Sequence, residues 1–91
     1  MNMQTTSARQ WYVMPHANLV WRHWNDEYVF HHFGSNDTHR LAELPGQLVA
    51  HLALRGRSTA RALAAQFDID EADTEYLLDE LEKQDFLSCL T

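Results

Sequence analysis

Cysteine is nearly missing from this chain of 91 residues, where Cys89 stands alone. One thiol closes no internal disulfide and builds no zinc–thiolate cluster. That excludes a disulfide-stapled secreted scaffold and points to a reducing compartment. Glycine and proline are scarce, at three and two residues. Gly34, Gly46 and Gly56 are isolated, so no glycine-rich loop exists to cradle a phosphate. No apolar run approaches the roughly 18 residues of a membrane span. Residues 1–10 are polar, carry Arg9 as their one charge and lack the apolar centre of a secretory signal, so the expectation is a cytoplasmic protein. Positive charge is in short supply too: seven Lys and Arg face 13 Asp and Glu, a formal net charge of -6. Residues 68–85 carry nine of those acids against Lys83. Such a segment repels duplex DNA and suits a partner of basic character.

Against these absences, 45% of the residues are hydrophobic. That is enough for one folded domain with one modest core. The expected division is a flexible tail over 1–10 and a single domain over 11–91. The most informative stretch is residues 19–33, LVWRHWNDEYVFHHF. Two runs rich in aromatic and β-branched residues flank Asn25-Asp26, the signature of a β-hairpin. Residues 34–37, dense in turn formers, separate it from a third short strand over 37–41. Trp11-Tyr12-Val13-Met14, closed by Pro15, reads as a further short strand or as a hydrophobic clasp over the sheet.

Helical periodicity takes over after Leu41. Leu44, Leu48, Val49 and Leu52 form one face, with Pro45 in a first turn and Gly56 as a stop. Ser58 or Thr59 caps a second helix whose inner face is Ala60, Leu63, Ala64 and Phe67. Asp70 caps a third, running to about Gln84, with Thr74, Leu77, Leu78 and Leu81 on one side. Residues 86–90 form a terminal strand or a docked tail. The expected class is α+β: a three-stranded antiparallel sheet followed by three helices, with the second and third helices resembling the helix-turn-helix half of a winged-helix domain.

Alternation places Leu19, Trp21 and His23 on one face of the first hairpin strand and Val20, Arg22 and Trp24 on the other. Neither face is cleanly polar. Either the helices cover one face and the Trp11 segment part of the other, or a second subunit or partner covers it. Trp21, Trp24 and Phe33 are the candidates for such a face.

Chemistry finds little support. Six histidines invite a metal reading, but the adjacent His31 and His32 point to opposite faces of a strand, and no His-x-x-x-His pair lies on a helix. His39, on the expected edge strand, is the one of interest. Cys89 lies in an apolar run, where a thiol is ordinarily inert. Ser35, Asp37 and His39 resemble a triad in composition alone. The expectation is therefore no enzyme, no metal and no cofactor. A DNA-binding third helix would present Glu71, Asp73, Glu75, Asp79, Glu80 and Glu82 to phosphates, the wrong sign. Arg55, Arg57 and Arg61 make a small basic cluster around the second helix, which a solvated helix end explains.

The hairpin Leu19-Val20-Trp21-Arg22-His23-Trp24-Asn25-Asp26-Glu27, followed by Asp37-Thr38-His39-Arg40-Leu41, resembles the PqqD-like peptide chaperones, the RiPP recognition elements. More narrowly it is similar to the PqqD-like member of the HPr-related kinase (HPr-rel-A) gene systems. That group carries a Leu-x-Trp-Arg-x-Trp-Asp-Asp-Glu hairpin and a Ser-Gly-x-Thr-His-x-Leu segment. The resemblance covers about residues 18–90; here the glycine is displaced to Gly34 and the first Asp of the turn is Asn25. It implies a winged-helix-like domain that binds the leader of a precursor peptide as an added strand and presents it to a modifying or kinase-like enzyme. Carried onto this chain, the docking strand is Asp37, Thr38, His39, Arg40 and Leu41. The opposite wall is the third helix, where Tyr76 lies off the apolar stripe near Ala72, Glu80 and Lys83. The alternatives are a winged-helix DNA-binding regulator and a homodimeric interaction subunit.

Overall fold

The computed structural model of the protein describes residues 9–13, 19–32 and 37–90. Its elements are β1 (Gln10–Tyr12), β2 (Leu19–Trp24), β3 (Glu27–His32), β4 (Asp37–Ala42), α1 (Glu43–Arg55), β5 (Ser58–Thr59), α2 (Ala60–Phe67), α3 (Glu71–Lys83) and β6 (Ser88–Leu90). The fold is α+β: an antiparallel sheet ordered β2-β3-β4 precedes three helices, an arrangement compatible with a winged-helix-like domain. Among the described residues no helix is long and apolar enough to cross a membrane.

Local chemistry explains most of the element boundaries. Asn25 and Asp26 take φ of 51° and 59°, the paired left-handed residues of a type I′ turn, whose twist matches that of the strands it joins. Thr59 Oγ1 accepts from Ala62 N–H at 3.1 Å and caps α2. The Asp70 carboxylate accepts from Ala72 N–H at 3.0 Å and caps α3. At its far end α3 closes in a Schellman turn. Asp85 adopts φ of 66°, its N–H donates to the Glu82 carbonyl, and Phe86 N–H donates to that of Leu81, both at 3.0 Å. The turn drives Phe86 into the core, where it is 4% exposed.

Three small strands form a second sheet, ordered β5-β1-β6 with β1 in the middle. Trp11 pairs with Ser58 on one side and Cys89 on the other. Its side chain is fully buried with Phe30, Leu48, Leu52, Leu63 and Leu78. The segment of Trp11 is thus a strand of its own sheet, and its indole lies in the shared core rather than as a clasp over the hairpin. Two residues assigned to the N-terminal tail have defined places, and residues 1–8 lie outside the described residues. Gln10 already belongs to β1, and Arg9 reaches α3, donating to Glu75 at 3.0 Å and Asp79 at 3.3 Å. The Arg9 guanidinium lies 4.7 Å from the Trp11 ring centroid, a cation–π stack.

The inner face of the main sheet carries Trp21, Tyr28, Phe30 and Leu41, in register as Trp21↔Phe30 and Tyr28↔Leu41. Trp21 sits 5.6 Å from Phe30, and His23 stacks on Tyr28 at 4.3 Å. Helix α1 presses on this face through Gly46. A Cβ built there would meet the Tyr28 ring and lie 2.6 Å from Tyr28 Cβ, so glycine is required for the close approach.

Candidate functional site

β4 is the outermost strand of its sheet and follows β3 in an unbroken antiparallel register from His32↔Asp37 to Glu27↔Ala42. It runs straight into α1, with Ala42 as the helix N-cap. This joint without a loop fixes the edge relative to the helical layer. Among the described residues no strand pairs with the far side of β4. Asp37, Thr38, His39 and Arg40 are exposed, and Leu41 is buried in the core. An edge of this kind presents a row of unpaired N–H and C=O groups.

The side chains on β4 divide by face. Thr38 and Arg40 lie on the outer one. The Thr38 hydroxyl is 3.0 Å from His31 Nδ1, and Arg40 approaches Glu27 at 3.8 Å, a pair exposed enough to contribute little. His39 lies on the inner face opposite Phe30. Its ring meets Phe86 edge-on at 5.4 Å, and Phe86 meets Phe30 at 5.5 Å. The contact between β4 and the end of α3 thus runs through Phe86, which sequence reasoning placed only in a terminal strand or docked tail. The signal that could have found it is the Schellman turn, because the residue after a left-handed position commonly packs back on the helix.

The residues expected as a wall on α3 lie away from the core face of that helix. Thr74, Leu78 and Leu81 face the core. Tyr76 is 65% exposed, and Ala72 and Lys83 are exposed too, on the opposite side of the helix turn. Lys83 pairs with Glu80 at 3.3 Å. Tyr76 does lie off the apolar stripe, as its helical angle requires, but its side of α3 looks to solvent. Ala72, Tyr76 and Lys83 therefore share the solvent side of α3, opposite its core face.

The proposed partner face divides as well. Trp21 packs inward, whereas Trp24 is 69% exposed on the outer face with Val20. The two indoles belong to opposite sides of β2 and share no surface. Phe33, like Ser35, lies outside the described residues. The described part of the Trp11 segment belongs to the other sheet, and Met14 lies outside the described residues. On the outer face, Arg22, Trp24, Asn25, Glu27, Val29 and Arg40 line a depression of about 420 Å³.

For reactive chemistry the inventory is thin. Among the described residues no three His, Cys, Asp or Glu side chains converge as a metal site. Burial pushes the Cys89 thiol above its ordinary pKa, with nearby Glu82 and Asp79 adding to the rise and Arg9 opposing it. That keeps the sulfur protonated and a poor nucleophile. Burial likewise raises the Tyr28 phenol, with Glu43 nearby adding to the effect. Comparison of the chain with protein-family models, curated proteins and solved structures gives no match.

Proposed function

We propose that the protein is a non-catalytic adaptor that captures an extended peptide by adding it as a fourth strand beside β4. The observation that carries this reading is the β4 edge: six residues without proline, on the outside of a three-stranded sheet, with Asp37 to Arg40 exposed. Backbone hydrogen bonds to that edge supply affinity, and side chains alternating above and below it supply selectivity. Inward residues of the peptide meet the His39–Phe86 corner, and outward ones meet Thr38 and Arg40. The reading agrees with the resemblance to PqqD-like chaperones. In such a role the client is a precursor or leader peptide, presented in the cytoplasm to a modifying or kinase-like enzyme.

Hydrogen exchange tests it. On a bare edge strand, alternate amides of β4 exchange fast because they point to water. A precursor peptide encoded beside this gene should protect those amides while leaving β2 unchanged. Protection confined to the outer face around Trp24 would refute strand addition. The exposure of Trp24 and Val20 also supports a homodimer through the outer face. A sedimentation run that finds only monomer at high concentration would exclude that second reading.

A further inference from the structure

A second cavity lies far from β4 in chemistry and in place. It is an open trough of about 420 Å³ where β1 and β6 meet the end of α1, a size in the range of small-molecule sites. Its walls are Tyr12, Val13, Leu52, Ala53 and Leu90, with Arg57 as the charged group. Local charge is one-signed. Residues 44–67 hold Arg55, Arg57 and Arg61 and no Asp or Glu. All three arginines are exposed. In a chain of net charge -6 this is where positive potential gathers. The C-terminal end of α1, partly negative, opposes an anion there. Gly56 N–H, however, already occupies the Leu52 carbonyl at 3.0 Å, so Arg57 stands as the counter-charge.

We propose that this cavity binds a medium-chain aliphatic carboxylate, its chain against Tyr12, Val13, Leu52 and Leu90 and its head group on Arg57. A mostly apolar trough with one arginine in its lining matches an apolar ligand with one anionic end. A purely polar anion would leave the trough empty, and a neutral alkane would leave Arg57 unused. The site is separate from the β4 edge and stands whether or not a peptide binds there.

Decanoate and decan-1-ol, titrated below their aggregation limits into the isotope-labelled chain, separate the two contributions. Decanoate should shift the amides of Val13, Ala53, Gly56 and Leu90, and should bind roughly tenfold more tightly than octanoate. Arg57→Gln should weaken decanoate about fivefold and leave decanol unchanged, with Arg57→Lys restoring most of the loss. Ala53→Glu, at an exposed helical position, should weaken decanoate further. Equal binding of alcohol and carboxylate with no effect of Arg57→Gln would overturn the proposal. So would shifts centred on Trp24, or no shift at millimolar decanoate.

Discussion

Replacing Gly46 by alanine sets two effects of opposite sign against each other. Alanine in a helix interior is worth about 1 kcal/mol over glycine, so on propensity alone Gly46→Ala stabilises α1. The packing opposes it. The new methyl would fall on the Tyr28 ring and within 2.6 Å of Tyr28 Cβ, well inside van der Waals contact. The ring has little room to yield, because His23 stacks on it at 4.3 Å and Phe30 lies 6.0 Å away. A Cβ anchored in a paired strand yields even less. Overpacking of this kind costs about 1–3 kcal/mol, and contact with backbone-anchored atoms puts it near the top of that range. The net expectation is a loss of about 1–2 kcal/mol, or roughly 5–15 °C in Tm for a domain of this size. Urea unfolding followed by circular dichroism reads it directly: the midpoint should fall with the slope unchanged. A midpoint equal to or above that of the parent would mean that α1 does not press on the sheet at Gly46.

Two further outcomes follow from the charged and titrating groups. Arg9→Ala removes both ion pairs to α3 and the stack on Trp11; since these groups are about a third exposed, the loss should be about 1 kcal/mol at low salt and smaller near 0.5 M salt, read as the midpoint shift in urea. Raising the pH should destabilise the fold from about pH 9 upward. Cys89 and Tyr28 are both held above their ordinary values of 9.0 and 10.0, so the folded state favours their neutral forms. Their contribution is complete below the unfolded pKa and is lost as pH rises through the folded one. Midpoints in urea should be flat between pH 7 and 8 and then fall, with Cys89→Ala removing the earlier part of the decline; a midpoint that rises toward pH 10 would contradict this.

What the sequence made legible is what short-range chemistry decides. The I′ turn at Asn25-Asp26, the Thr59 and Asp70 caps and the Gly56 stop each depend on a few neighbouring residues, and each is where the residue types place it. The inner faces of the helices follow from spacing in the same way. The second sheet did not announce itself. β5 has two residues and β1 and β6 three each, too few to show a period of two, and β1 pairs with strands far from it in sequence. Nothing local in Trp11 indicates that it pairs with Cys89. The candidate site divides along the same line. That residues 37–41 form an edge strand was readable from their order after the hairpin. Where Tyr76 sits relative to that edge depends on how α3 packs on α1 and α2, which helical periodicity does not specify.

The position of β1 bears on how the molecule comes into being. Trp11 is made before the hairpin and all three helices, yet its seat in the core is finished by strands that include β6, which follows the last of those helices. Until β6 has been made, the ribosome holds a chain whose largest core side chain lacks one of the two strands that flank it. Closing so long a loop is a late and entropically costly event. The small sheet is therefore the clasp of the folding reaction. The hairpin and helices form from neighbours, and the arrival of β6 beside β1 turns their assembly into the native state.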